Sequence, residues 1–169
     1  MGPLTRRQII RLAFYGSIAA GSAYTGLVEH RIVRTNQYRI PMSNLPTAFE
    51  GFRIVHLTDI HYGLLVSQNF VKNVVRRANE ANGDIIVCTG DYVHKRNTDE
   101  ELDAVWPLLS ELKAPLGVYA VLGNHDHWAS TKRSIYWLEQ TGFNLRRKCK
   151  RLEKAGSHLW LAGTGDLLA

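Results

Sequence analysis

The sequence predicts an α/β fold with a largely parallel sheet, and three observations predict it. Three short apolar runs, Phe52–Leu57, Ile85–Cys88 and Leu116–Leu122, have the length and composition of buried strands. Amphipathic helical segments separate them, as βαβ units require. Each run ends in a polar segment, and the carboxyl ends of strands are where open α/β sheets bind ligands.

The 169 residues suffice for one domain. With 45% hydrophobic and 21% charged residues, the composition excludes a disordered chain. No repeat or low-complexity tract occurs. The charge of +6 includes two basic clusters, Arg6 to Arg39 and Arg146 to Lys154. Such surface suits anionic headgroups or phosphorylated substrates, although the second cluster also reads as a solvated face. Basic and aromatic residues do not interleave as in nucleic-acid-binding proteins, so no specific nucleic acid is expected.

Residues 1–30 read as an export signal or membrane anchor. Arg6 and Arg7 precede an uncharged stretch from Leu12 to Val28 that Gly16, Gly21 and Gly26 interrupt. This resembles a bacterial twin-arginine signal, with Gly21-Ser22-Ala23 as a candidate cleavage site. Either form places the protein at the inner membrane or exported across it. Residues 31–46, punctuated by Pro41 and Pro46, read as a linker plus an edge strand.

The folded part follows in order. After the first run, Ser67 caps a helix with the stripe Phe70, Val71, Val74, Val75 and Ala78. Asp84 leads into the second strand. Thr98 and Glu101 have capping-box spacing, and Leu102, Val105, Leu109 and Leu112 carry that helix through a bend at Pro107. After the third run, Ser130 caps a shorter helix ending near Gln140. Two or three short strands are expected from Phe143 onward. Cys88 reads as core packing, and its distance from Cys149 supports no disulfide.

The strand ends carry Asp59-Ile60-His61, Gly90-Asp91 and Gly123-Asn124-His125-Asp126. Asp59 and Asp91 offer hard oxygens, His61 a borderline nitrogen and Asn124 a neutral carbonyl. Asp91 is placed to bridge two cations. The glycines permit sharp turns and close approach of a phosphate. Tyr62, Tyr92 and Trp128 could cover a nucleobase or sugar, or pack.

These segments, in this order and spacing, resemble the calcineurin-like metallophosphoesterases. Leu45 to His61 is similar to a bacterial membrane-associated branch that includes enzymes cleaving UDP-2,3-diacylglucosamine in lipid A synthesis. The resemblance runs from about residue 38 to the end. It implies a sandwich of two β-sheets flanked by helices, with residues 47–169 as its amino-terminal part. It implies two divalent cations, manganese, iron or zinc. Asp59 and His61 would hold one, Asp91 would bridge, and Asn124 would bind the second. His125 would stabilise or protonate the leaving oxygen, oriented by Asp126, during in-line attack of an activated water. The implied activity is hydrolysis of phosphate esters or pyrophosphates, on a phosphorylated small molecule or glycolipid at a membrane surface.

Family members carry a further histidine and a Gly-His-x-His segment beyond the point where this chain ends. A carboxy-terminally truncated chain with an incomplete metal site is therefore the expectation. The alternative is a catalytically inactive remnant or a membrane-tethered binding module. His94 and His127 flank the crevice as candidate substrate contacts. His56 reads as a packed core residue, His158 as structural, and His30 as part of the leader.

Overall fold

A computed structural model describes residues 5–27 and 32–165. The chain divides into two units, one up to Asn36 and one from Gln37 onward.

In the first unit, helix α1 spans Arg6–Leu27. The Thr5 hydroxyl accepts from Gln8 N–H, and the Gln8 side chain accepts from Thr5 N–H, closing the helix start reciprocally. Ile9, Ile10, Phe14 and Ile18 are exposed. No described helix is long and apolar enough to cross a membrane. The candidate cleavage segment at Gly21 lies within α1, whereas His30 falls outside the described residues.

The second unit opens without the expected edge strand. Residues 37–46 are irregular, and a short 3-10 turn at Thr47–Phe49 follows. Strand β1 (Ile54–Leu57), helix α2 (Gln68–Glu80), strand β2 (Ile85–Cys88), helix α3 (Glu100–Leu109) and strand β3 (Val118–Ala120) come next. The three strands pair in parallel in the order β1-β2-β3, with Leu57 opposite Cys88 and Cys88 opposite Ala120. Both crossovers step the same way along the sheet, so a common right-handed connection puts α2 and α3 on one face. Their stripes meet Val55, Leu57, Ile86, Cys88, Val118 and Ala120 in one core. Burial pushes the Cys88 thiol up to about 12, as befits a packed thiol, and neither cysteine is bridged.

The opposite face is covered less fully. Ile85 packs there with Phe49 and Leu152, and with Val87, Tyr119, Leu159 and Leu161 at the margin. Leu152, Leu159 and Leu161 come from an antiparallel hairpin, β4 (Lys148–Lys154) and β5 (Ser157–Gly163). Its two-residue turn, Ala155-Gly156, has positive φ at both positions, as the twist of a tight hairpin demands. The cover does not reach β1, which is an edge strand with Ile54 and His56 exposed. This corrects two expectations: β1 is not a fully buried strand, and His56 is not a core residue. Its ring instead meets the Thr89 hydroxyl at 2.7 Å.

Capping also departs from expectation at α3. The Ser67 hydroxyl accepts from Phe70 N–H as expected, but α3 starts after Asp99 with no side-chain cap. Glu101 does not close a capping box on Thr98. It is buried and binds a neighbouring loop. Helix α4 runs Asn124–Thr141 across a break at Ser130, whose hydroxyl accepts from Arg133 N–H. Ser130 therefore caps the second segment as expected. The first segment, from Asn124, was not legible as a helix.

Asp103 ties α3 to α4. Arg133 donates to both carboxylate oxygens, at 2.6 and 2.9 Å, and Trp137 donates at 2.8 Å. The Arg133 bonds hold this carboxyl below its ordinary range while burial opposes them. A depressed carboxyl contributes stability above its unfolded value, and that stability is lost as the pH falls through the folded one. Asp103→Asn is expected to unfold at lower urea than the parent at pH 7, the gap closing below about pH 4. A gap unchanged at pH 3 would show that the ion pair is not its source.

Candidate metal centre

Backbone pairing continues past the strand ends and builds the site. Thr89 N–H donates to Leu57 O, Asp59 N–H to Gly90 O, and His61 N–H to Asp91 O at 2.9 Å. Val121 N–H donates to Cys88 O on the other side. The three clusters are thereby laced together at one end of the sheet, as the strand order requires.

The turns are tight. Asp59, His61 and Asp91 all adopt positive φ, a conformation that non-glycine residues rarely hold without a structural reason. Gly90 also has positive φ, and a Cβ there would overlap the Gly123 backbone. A Cβ on Gly123 would overlap the Asp91 carboxylate. Both glycines are thus required by close backbone approach.

Asp126 fastens this contact. Its carboxylate is 0% exposed and accepts from the N–H groups of Asp91 (2.8 Å), Tyr92 (2.9 Å) and Gly123 (2.9 Å). Burial pushes its carboxyl up to about 7, against the pull of those donors. The expected orientation of His125 by Asp126 is corrected by these bonds. Asp126 points back across the start of α4 to the Asp91 turn. The His125 ring is held instead by His94, whose carbonyl oxygen lies 3.0 Å from Nδ1. A carbonyl only accepts, so Nδ1 carries a hydrogen and Nε2 is left for chemistry.

Asp59, His61 and Asp91 converge. His61 Nε2 lies 3.4 Å from Asp59 Oδ1 and 3.8 Å from Asp91 Oδ2. One donor atom from each falls within 4.8 Å of the others. Asp91 divides its oxygens, since Oδ1 accepts from His125 N–H at 3.0 Å while Oδ2 faces His61. The start of α4 favours the negative charge there. His61 Nδ1 is buried with no hydrogen-bond partner. Two carboxylates facing one imidazole nitrogen, His61 Nε2, fit a divalent cation of borderline hardness. Asp59, His61 and Asp91 are the residues that would hold it.

The remaining candidates divide. Asn124 is the first residue of α4, directly after Gly123 and half-buried. His94 joins His61 and His125 in a second group whose ring nitrogens lie within 4.8 Å. His127 is absent from both groups and turns to the Thr131 hydroxyl, 3.1 Å away. Tyr92 is buried against Trp106, with its hydroxyl donated to Val121 O, and so covers no ligand. Trp128 is partly exposed and packs on His125 at 4.8 Å between centroids.

Two contributors had no chemical signal in the sequence. Glu101 accepts from the N–H groups of His94 and Lys95, fixing the loop that supplies the His94 carbonyl. Arg96, in that loop, lays its guanidinium over Trp128 at 3.9 Å. A search for i, i+3 capping pairs finds Glu101 but assigns it to the wrong partner.

Comparison with known proteins gives a concordant picture. The model for the calcineurin-like phosphoesterase family matches residues 52–166. An uncharacterized metallophosphoesterase of Bacillus subtilis, YkuE, is 34% identical over 134 residues, 75% of this chain and 46% of that protein. The UDP-2,3-diacylglucosamine pyrophosphatase LpxG of Chlamydia trachomatis is 38% identical over 96 residues, 55% of this chain and 29% of its own. A transmembrane protein with a metallophosphoesterase domain from Danio rerio is 31% identical over 137 residues, 77% and 30% of the two chains. The chain spans less than half the length of each of these relatives.

The close approach of Gly90 and Gly123 sets up a contrast with Gly142, which has positive φ but faces open space. Gly142→Ala is expected to cost about 1 kcal/mol, the strain of the left-handed residue alone. Gly90→Ala is expected to cost more than about 2 kcal/mol, because the backbones must also part. Calorimetric titration with Mn²⁺ should show binding lost in Gly90→Ala and kept in Gly142→Ala. Equal binding by both would mean that the glycine contact does not shape the site.

Proposed function

Because the chain belongs to the calcineurin-like phosphoesterase family, we propose that it is the ligand-bearing part of an enzyme that hydrolyses phosphate esters or pyrophosphates using two divalent cations. The observation that carries the reading is the convergence of ligand atoms of Asp59 and His61, after β1, and Asp91, after β2, within 4.8 Å of one another. Asp59 and His61 would hold one cation, Asp91 would contribute to both positions, and Asn124 would serve the second. The cations, when bound, supply Lewis acidity toward phosphoryl oxygens and lower the pKa of water.

The chain's own residues do the rest. His125 holds a proton on Nδ1 against the His94 carbonyl, and a second proton, carried on Nε2, would be the one passed to the leaving oxygen. Asp126 holds the Asp91 and Gly123 turns in register through three backbone bonds. Trp128 borders His125, with ring centroids 4.8 Å apart.

A lipid-linked pyrophosphate such as UDP-2,3-diacylglucosamine is the substrate proposed, acted on at the inner membrane or after export. Two things support it: the likeness to LpxG, and an amino-terminal helix that begins with Arg6-Arg7 and exposes apolar residues. The metal identity is proposed as manganese, iron or zinc from the mixed oxygen and nitrogen donors.

Hydrolysis of bis(4-nitrophenyl) phosphate with added Mn²⁺ tests the core of this reading. Activity should require the metal and fall at least about a hundredfold in Asp91→Ala, as expected when a charge-stabilising group is removed. Absence of turnover at every metal concentration would reduce the chain to a metal-binding remnant.

A further inference from the structure

Beside the metal centre lies a loop whose His94 carbonyl holds His125 and whose basic side chains, Lys95 and Arg96, the proposed mechanism does not use. His94-Lys95-Arg96 follows Val93, whose bridge to Tyr62 extends the sheet, and all three residues are exposed. The loop is held at both ends. His94 N–H donates to Tyr62 O, Asn97 N–H to Trp128 O and Thr98 N–H to Ala129 O. Glu101 takes the N–H groups of His94 and Lys95 from beneath. The buried carboxylate thus binds the loop's backbone and leaves its cationic side chains unneutralised.

Arg96 is the most defined of these. Its guanidinium lies 3.9 Å from the Trp128 ring centroid. It makes no ion pair with a carboxylate among the described residues. Stacking on an indole uses the face of a guanidinium and leaves the donors around its edge free, in the planar fork that matches phosphate. Trp128 in turn packs on His125 at 4.8 Å, and His125 lies 4.5 Å from His61. The fork is therefore anchored two ring contacts from the candidate metal ligands, on the side where His125 meets the leaving group.

We propose that Arg96, seated on Trp128, is a subsite for a second phosphoryl group carried by the leaving portion of the substrate. This rests on the pyrophosphate reading proposed above and deepens it by assigning a residue to the phosphoryl group that leaves. The metal centre would engage one phosphorus and the Arg96 fork the other, so that binding energy distant from the reacting bond orients the leaving group beside His125. Lysine at this position would keep the charge but lose both the stack and the fork.

The test uses two ligands that share a nucleoside, UDP-glucose and UMP, read by calorimetry in the presence of Mn²⁺ and as inhibitors of aryl diester turnover. Arg96→Ala is expected to weaken UDP-glucose about tenfold or more, as for loss of a charge-assisted bond, and UMP less than about threefold. Arg96→Lys should recover part of the difference. Equal weakening of both ligands, no weakening of either, or no UDP-glucose binding by the parent chain would overturn the assignment. Unchanged circular dichroism in Arg96→Ala checks the fold, since the side chain is exposed. Arg96-dependent binding without aryl diester turnover would sink the catalytic reading and leave the subsite standing. Turnover with binding indifferent to Arg96 would do the reverse.

Discussion

The contact of Gly90 with Gly123 is the constraint on which the site depends. Two strand ends approach so closely that neither residue can carry a side chain, and a fully buried carboxylate then stitches the two turns together. Asp126 is costly to bury, which is why its carboxyl is pushed up to about 7, and three backbone donors are what make the burial tolerable. Remove the contact and Asp91 has no fixed place. With it, Asp91 is oriented by its own amide, by its neighbour's amide and by the start of α4.

A second buried carboxylate repeats this logic nearby. Glu101 binds the backbone of His94 and Lys95, as Asp126 binds that of Asp91 and Tyr92. In both cases an acidic side chain from a helix holds a loop by its amides and leaves the loop's own side chains available. The loop so held supplies the carbonyl that sets the His125 tautomer. Strain adds to the same picture, because Asp59, His61 and Asp91 sit at positive φ. Such turns persist where surrounding bonds over-determine them, and the interstrand amides here do so.

The sequence made the parallel α/β core and the convergence of the three clusters legible for a simple reason. Apolar runs of strand length, alternating with amphipathic helices, leave little freedom of topology, and strand ends share one edge by construction. It misled where partner choice is tertiary. Thr98 and Glu101 have capping spacing, yet Glu101 finds better-placed donors across a loop. His56 sits in an apolar run, yet β1 lies at the sheet edge and its outer residues stay exposed. Tyr92 follows a candidate ligand residue directly, yet beyond the left-handed turn at Asp91 it enters the core against Trp106. Arg96 gave no signal because a cation over an indole has no fixed spacing in sequence.

The two faces of the sheet explain why the site lies where it does. Same-handed crossovers place α2 and α3 on one face, so the ligand loops emerge at an edge backed by a dense core containing Leu102, Val105 and Trp106. The other face carries the lighter cover of Phe49 and the hairpin, and it thins toward β1. Asp59 and His61 follow the thinly covered strand, while Asp91 follows the central one. Side-chain exposure runs accordingly, from 61% at Asp59 through 30% at His61 to 15% at Asp91. The most buried of the three is the residue with the most backbone support. That gradient gives Asp91 the fixed position and Asp59 the adjustable one, as the proposed sharing of Asp91 between two cations would require.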